Sequence, residues 1–384
     1  MNTTTKTKIL VLVTIFIDVI GIGIIIPIMP FYVRSFGVSD TIITLLFAVY
    51  AFFSFFSAPY LGSLSDRIGR RKILIISIAS SAIGWFMFAK ASSILFLFIG
   101  RIIDGLAAGN ITTAQSTLAD IARDDKERIL NMGLFGVLFG IGLIIGPIVG
   151  GLLGSFGTSI PFLFVGILAT TNAVLAYFFL PETHITRNTN KKILFSPFTP
   201  IIDGFRDKEI RGLFFVWFLF CIGIAIQQST FSLYASSVWN YSERALGFIY
   251  GGLGIIIVFN QVILLRHFWL NYFNEKTLTR CMLILYGFGI LFTAAPFKIV
   301  FFLGIILATF GQGNLRTVFS SLIASFKPEK RGEYLGISSS LMSLSMIIGP
   351  LIVTMIYVRH PALPFVIAAI CAFIGFGVMR HSRV

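Results

Sequence analysis

The chain has 384 residues, of which 56% are hydrophobic and only 12% are Asp, Glu, Lys or Arg. Soluble proteins carry about 25% charged residues, so this composition excludes a soluble globular or a disordered protein. A membrane-spanning helix needs about 20 apolar residues, so the length accommodates twelve spans with short loops and leaves no room for a soluble domain. The net charge of +14 then indicates loops that face an anionic lipid leaflet, and no nucleic-acid partner is expected.

Twelve apolar runs predict twelve membrane-spanning helices, because lipid cannot satisfy free backbone groups and the runs are too long for barrel strands. They fall near residues 9–31, 42–64, 73–90, 93–121, 130–153, 160–180, 212–236, 245–265, 278–295, 299–323, 334–357 and 362–379. With the N-terminus in the cytoplasm, 23 of the 30 Lys and Arg residues fall on the cytoplasmic side and 5 in outer loops. Since basic residues favour cytoplasmic loops, the sequence predicts both termini in the cytoplasm.

A polar stretch near the middle of the chain divides it into two predicted halves. The segment IIGPIV at 144–149 recurs as IIGPLI at 347–352, and Gly109-Asn110 recurs as Gly313-Asn314. We therefore predict an all-α integral membrane protein with two pseudo-symmetric six-helix bundles, at residues 1–184 and 212–384, joined by a cytoplasmic linker at 185–211. Two such repeats with a binding site near the membrane midplane are typical of a transporter.

Charged residues inside the predicted spans indicate a functional site, because charge is costly in lipid. Asp18 in span 1 and Asp104 in span 4 are the acids that lie clearly within spans, and Arg101 and Arg316 are the basic residues there. A carboxyl group at Asp18, among Ile, Phe and Gly, can take up a proton on one side of the membrane and release it to the other. We predict a proton-coupling group of Asp18, Arg101 and Asp104, with Arg101 paired to either acid; the alternative is a structural carboxylate bonded to a neighbouring helix.

Polar residues in the spans indicate where a substrate would bind. Arg101, Asp104, Ala108, Thr112 and Gln115 share one predicted helix face in span 4. The candidates of the second half are Gln227, Gln228, Asn260, Gln261, Gln312, Asn314 and Arg316. No metal site is expected, because hard cations need several oxygen ligands. Cys221, Cys281 and Cys371 lie in apolar runs without metal-ligand spacing and are predicted to be small core residues.

Four short motifs lie in span 1, in the loop after span 2, in span 4 and in span 5. They read DVIGIGIIIP from Asp18, GSLSDRIGRRK from Gly62, RIIDGLAAG from Arg101 and GPIVGG from Gly146. These motifs resemble the major facilitator superfamily, and within it the twelve-span drug:proton antiporters that include tetracycline exporters. The resemblance implies a monomeric, cofactor-free, proton-coupled exporter of a small molecule in the bacterial inner membrane, working by alternating access.

The resemblance also implies two structural motifs. A cytoplasmic latch would hold the halves together on that side, and its residues are Gly62, Asp66, Arg67, Gly69, Arg70 and Asp120. A helix-packing motif in span 5 would let helix backbones approach closely, because small residues permit this. Its residues are Gly142, Gly146, Pro147, Gly150 and Gly151.

Three departures from the tetracycline exporters leave the substrate open. Those exporters carry an acid in span 3, where this chain has Gly84, a histidine in span 8, where it has Ile257, and an acid in span 9, where it has none. Arg316 can pair with an acidic group on a ligand. An exporter of an anionic metabolite, such as a carboxylate siderophore, and a proton symporter for nutrient uptake therefore remain alternatives. A non-transporting receptor has little reason to keep charges in its spans, and the sequence contains no nucleotide-binding loop or other enzyme motif.

Overall fold

In the computed structural model, residues 3–122, 125–183, 197–326 and 331–381 are described, and every regular element among them is helical. The first half contains α1 (Thr3–Arg34), α2 (Asp40–Ile68), α3 (Arg70–Ala89), α4 (Ile94–Leu106), α5 (Asn110–Asp120), α6 (Asp125–Gly154) and α7 (Ile160–Phe179). The remainder contains α8 (Phe198–Arg206), α9 (Arg211–Ser237), α10 (Glu243–Phe259), a π-helix (Asn260–Trp269), α11 (Leu270–Tyr272), α12 (Glu275–Thr293), α13 (Lys298–Phe326), α14 (Arg331–Ile356) and α15 (Leu363–His381).

The predicted all-α membrane fold of twelve spans is confirmed. Ten of the described helical segments are long and apolar enough to cross a membrane. Span 5 corresponds to α6, whose apolar part covers Gly140–Gly154, and span 4 corresponds to α4 and α5 together. The helix bounds agree with the predicted spans to within several residues, since the hydropathy of a span is set by the lipid around it.

Two spans differ from the continuous α-helices that the sequence predicts. Span 4 is interrupted at residues 107–109, between α4 and α5. A side chain at Gly109 would collide with Leu61 of α2, and one at Gly105 would lie 2.8 Å from Phe53 Cβ, so the interruption is packed directly on α2. Span 8 continues beyond α10 as the π-helix and α11, so His267 lies in a helix and not in the predicted loop. Helix α8 lies within the predicted linker.

The helices assemble into two compact units. Unit 1 comprises Met1–Val38, Val49–Ser196 and Tyr241–Gly251, and unit 2 comprises Ser39–Ala48, Pro197–Asn240 and Gly252–Val384. The first residues of α2 thus belong to unit 2, and those of α10 to unit 1. In unit 1, α1 packs on α6 and α7, while α3 packs on α4 and α7. In unit 2, α9 packs on α14 and α15, while α12 packs on α13 and α15.

The interiors of both units combine aliphatic and aromatic side chains. Part of the unit 1 interior is an aliphatic cluster that is formed by α1, α3, α5, α7 and the residue that follows α7. Its members are Val11, Ile15, Val19, Leu74, Ile78, Ala114, Leu118, Ala176 and Leu180. The interior of unit 2 contains aromatic side chains in mutual contact, among them Trp217, Phe220 and Phe319. The cysteine prediction holds for buried Cys221 but is wrong for exposed Cys281, and Cys371 is half-buried. An apolar run does not distinguish a core residue from one that faces lipid.

Candidate functional site

A small cavity inside unit 1 brings together polar side chains from five helices. Its volume is about 30 Å³, which is enough for a water molecule. Apolar residues of α1, α5 and α7 form much of the wall. The polar and amphipathic side chains that line it are Asp18, Tyr50, Ser81, Trp85, Asp104 and Asn110. The cavity therefore contains both of the intramembrane acids that the sequence singles out.

Asp104 is held by hydrogen bonds from two other side chains. Ser81 Oγ of α3 donates to its Oδ1 at 2.8 Å, and Arg101 Nη1 donates to its Oδ2 at 3.3 Å. The side chains of Arg101 and Asp104 are only 6% and 13% exposed. Arg101 is thus paired with Asp104, one helical turn away on α4, which resolves the choice that the sequence left open. An opposite charge at this distance stabilises the ionised carboxylate.

Aromatic rings enclose the Arg101 guanidinium. Its Cζ lies 4.7 Å from the ring centroid of Phe88, 5.4 Å from that of Trp85 and 5.6 Å from that of Tyr50. Arg101 Nε and Nη2 are buried and find no hydrogen-bond partner in the part of the chain that the structure describes. Aromatic faces attract a cation electrostatically. Contacts with these rings therefore stabilise the part of the guanidinium group that has no hydrogen-bond acceptor among the described residues.

Asp18 differs from Asp104 in its surroundings. It lies on α1, and its Oδ2 is buried without a hydrogen-bond partner among the described residues. Gly21, one turn further along α1, allows α7 to approach, because a Cβ there would lie 3.0 Å from Val165 Cγ1. The cavity thus contains one acid that is neutralised by a guanidinium and one that is not.

The glycines of α6 place α1, and with it Asp18. A Cβ on Gly146 would lie 2.8 Å from Gly23 Cα, and a Cβ on Gly150 would lie 2.9 Å from the Ile24 carbonyl oxygen. Gly142 approaches Val19 in the same way, and Pro147 Cδ lies against Gly23. Gly151 faces another helix, since its Cβ would lie 3.0 Å from Gly247 Cα of α10.

Some cavity residues are absent from the site predicted from sequence. Tyr50, Ser81, Trp85 and Asn110 line the cavity, although the sequence analysis did not select them as site residues. Asn110 could have been selected from the sequence, because it belongs to the Gly-Asn pair that recurs in the second half. Among the predicted members of the span 4 face, Asp104 and Ala108 line the cavity, whereas Arg101 and Gln115 do not.

Thr112 and Asp66 lie at positions whose side chains are outside the described residues. Of the other predicted latch residues on α2, Arg67 is half-buried. A Cβ on Gly62 would meet no atom within 4 Å. A side chain at position 62 would therefore meet no steric obstacle.

Arg70 connects three segments at the predicted cytoplasmic end of unit 1. Its Nε donates to Asp120 Oδ2 of α5 at 3.0 Å, and its Nη1 donates to Ser65 Oγ of α2 at 2.6 Å. Its backbone N–H donates to Glu182 Oε1 at 2.9 Å. Gly69, which precedes it, has φ of +110°, a conformation that favours glycine. Arg70 and Asp120 are therefore paired within unit 1, and the latch between the halves stays a prediction.

In unit 2, three of the predicted cavity residues bond the π-helix to α13. Asn260 Nδ2 donates to Asn314 Oδ1 at 3.0 Å, and both side chains are fully buried. Trp269 Nε1 donates to Asn260 Oδ1 at 3.0 Å. Gln261 Nε2 donates to the Gly313 carbonyl oxygen at 2.6 Å. These contacts fasten one helix to another within the unit.

The other predicted cavity residues of unit 2 are half-buried. Gln227 Oε1 accepts a hydrogen bond from the Tyr286 hydroxyl at 3.1 Å. Gln228, Gln312 and Arg316 share this partial burial. Arg316 Nη2 lies 3.7 Å from Met342 Sδ, a contact with a weak acceptor.

Comparisons with known proteins identify the family. The chain matches the model of the Major Facilitator Superfamily over residues 11–268 and 264–381. The class C tetracycline resistance protein of Escherichia coli is 29% identical over 357 residues, which cover 91% of this chain and 89% of that protein. Multidrug resistance protein 2 of Bacillus subtilis strain 168 is 25% identical over 380 residues, 96% of this chain and 93% of that protein.

A solved structure supports the fold. The human organic anion transporter MFSD10 superposes with a TM-score of 0.75 at 20% identity and covers 99% of this chain and 100% of its own. At that identity the similarity concerns the fold alone. With twelve apolar spans and a family match over most of its length, the chain belongs to the Major Facilitator Superfamily of multi-pass membrane transporters.

Proposed function

We propose that the chain exports a drug-like small molecule in exchange for protons, by alternating access across the bacterial inner membrane, with both termini in the cytoplasm. The resemblance to proteins named for tetracycline and multidrug resistance supports the substrate class. The excess of basic residues in the predicted cytoplasmic loops supports the orientation.

The observation that carries proton coupling is the contrast between the two acids in the unit 1 cavity. Asp104 has Ser81 and Arg101 as donors, whereas Asp18 Oδ2 is buried with no partner in the described part of the chain. A buried carboxylate oxygen without a partner is costly when the group is ionised, and protonation removes that cost. Asp18 is therefore the group that gains most from binding and releasing a proton as its access to water changes.

The remaining residues take supporting roles in this proposal. Asp104 keeps Arg101 beside the cavity as a fixed charge. Arg70 and Asp120 are members of a cytoplasmic latch. Substrate contacts come from the half-buried polar residues of unit 2, and Thr112 and Gln115 remain candidates from unit 1. These unit 2 residues are Gln227, Gln228, Gln312 and Arg316. The bonded residues Asn260, Gln261 and Asn314 position span 8 beside span 10.

Transport in liposomes tests the role of Asp18. Wild-type protein is reconstituted with an imposed pH gradient, and accumulation of tetracycline and of a quinolone is followed. We expect Asp18→Asn to abolish gradient-driven accumulation, because asparagine cannot take up the proton. Asp203→Asn, at an exposed acid of α8, is the matched control and should transport normally. Gradient-driven accumulation by Asp18→Asn at the wild-type rate would remove Asp18 from the mechanism.

A thermal-shift screen of the purified protein tests the substrate class. A ligand that binds the folded state raises its apparent stability, so we expect tetracycline or a quinolone to raise the unfolding temperature. A shift with a carboxylate siderophore but with neither drug would replace the proposed class by anionic metabolites, with Arg316 as the first residue to test.

A further inference from the structure

We propose that the proton of Asp18 exchanges with the cytoplasm through a hydrated polar layer inside unit 1. The layer is formed by Thr14 of α1, Ser77 of α3, Thr113 of α5 and Asn172 of α7. This inference rests on the proposed function, because it supplies the route for the proton that Asp18 carries. It places that route within a single helical unit.

The layer lies one helical turn on the predicted cytoplasmic side of the cavity. Thr14 precedes Asp18 by four residues on α1, and Ser77 precedes Ser81 by four residues on α3, so each shares the face of the cavity residue above it. Helix α7 runs in the opposite direction, and Asn172 follows the cavity residue Ala169 by three residues. All three helices therefore present a polar side chain about one helical turn from the cavity.

Contacts between the helices indicate that these residues share a level. The hydroxyl oxygen of Thr14 lies 3.1 Å from Asn172 Oδ1. Along the α3–α7 interface, Arg71 Nη2 donates to the Tyr177 carbonyl oxygen at the predicted cytoplasmic end. Trp85 stacks on Phe162 towards the other end. Ser77 and Asn172 lie between these two contacts on their respective helices.

The side chains of the layer have hydrogen-bonding capacity that the described residues do not use. Ser77 Oγ, Thr113 Oγ1 and Asn172 Nδ2 are buried without a partner there, as is Asp18 Oδ2 in the cavity above. The four layer residues are at most 2% exposed. Buried polar groups of this kind are normally satisfied by ordered water. A few water molecules between the four helices would satisfy these atoms and connect them to Asp18.

Apolar residues surround the layer on three helices. Its neighbours on α1, α3 and α5 belong to the aliphatic cluster of the unit 1 interior, and one turn along α5 the buried Thr117 hydroxyl donates to the Thr113 carbonyl oxygen at 2.8 Å. Nearer the predicted cytoplasmic end, Asn131 of α6 is fully buried and donates to the Leu118 carbonyl oxygen at 2.9 Å, and its Oδ1 has no described partner. Asn131 thus continues the polar path beyond the layer.

The charges around Asp18 are compatible with proton release through water. Asp104 of α4 and the Tyr50 hydroxyl of α2 are the titratable groups that line the cavity with it, and the cavity lining from α3, α5 and α7 is neutral. Arg101 is paired with Asp104. Both carboxylate oxygens of Asp104 already accept hydrogen bonds, one from Ser81 and one from Arg101. A proton that leaves the Asp18 carboxyl group is taken up by a neighbouring water molecule, which gives one of its own protons to the next water molecule. One proton therefore reaches the cytoplasm for each proton that Asp18 releases, and the water molecules are left unchanged.

Infrared spectroscopy of the purified protein tests the route without a substrate. The carbonyl band of the protonated Asp18 carboxyl group is identified by its loss in Asp18→Asn, and its shift after transfer to deuterium oxide gives the proton exchange rate. We expect Asn172→Leu and Thr14→Val to slow this exchange by about tenfold, as expected when a polar partner of the path is removed. Thr171→Val is the matched control, because Thr171 is exposed and donates to Ile167 of its own helix.

Each result bears on the route or on the proposed function. Exchange at the wild-type rate in both layer variants would overturn the route and leave the role of Asp18 intact. If Asp18→Asn removed no carboxyl band at any pH, the proposed function would fail and the route with it. Ser77→Ala removes a single oxygen and provides a second variant if Asn172→Leu does not fold, with the same expected slowing.

Discussion

The close packing of α6 against α1 provides a quantitative prediction for Gly146→Ala. The new Cβ would lie 2.8 Å from both Gly23 Cα and the Ile20 carbonyl oxygen, whereas carbon atoms in contact normally lie about 3.5–4.0 Å apart. Both neighbours are backbone atoms, so no side-chain rotation relieves the overlap and α1 must move by about 1 Å. Overpacking of this kind costs about 1–3 kcal/mol, and the rigid contact favours the upper end.

The change from glycine to alanine also stabilises a helix by about 1 kcal/mol, and a control separates this contribution. Gly252→Ala makes the same change in α10 at an exposed position where a Cβ would meet no atom within 4 Å. Because the helix-propensity contributions cancel, the two variants should differ by about 3 kcal/mol in free energy of unfolding. Reversible unfolding with a denaturing detergent measures this difference.

The outcome that contradicts the packing argument is a Gly146→Ala protein as stable as Gly252→Ala. That result would mean that α1 and α6 separate at little cost. A stable Gly146→Ala protein that also accumulates substrate normally would further show that the position of α1, which carries Asp18, tolerates a shift of this size.

Two further predictions concern polar contacts and use the same unfolding measurement. Arg70→Gln should lower the free energy of unfolding by about 2 kcal/mol, because it breaks the buried contact with Asp120. Arg206→Gln breaks an ion pair whose arginine is 78% exposed and should change stability by less than about 0.5 kcal/mol. Equal losses of stability in Arg70→Gln and Arg206→Gln would contradict the role given to the Arg70–Asp120 contact. Asn314→Leu should cost about 3 kcal/mol, because it leaves Asn260 buried without its amide partner, and unchanged stability would refute this network.

Much of the fold follows from the sequence because the membrane imposes simple rules. Each span must be apolar and helical to satisfy its backbone in lipid, so the runs of apolar residues give the spans directly. The cost of intramembrane charge likewise identifies Asp18, Arg101 and Asp104 without any structure. The glycines of span 5 predict a close helix contact, since small residues allow backbones to approach.

Helix packing decides what the one-dimensional pattern cannot. Lipid and protein interior are both apolar, so hydropathy did not distinguish exposed Cys281 from buried Cys221. The surroundings of Arg101 depend on the aromatic rings that α2 and α3 bring around it, while its Nη1 lies 3.3 Å from Asp104 Oδ2. The sequence by itself determined which charges lie in the membrane. Only the tertiary structure decided which acid is paired with a guanidinium and which has a buried oxygen with no partner among the described residues, because that depends on how the helices pack around each carboxyl group.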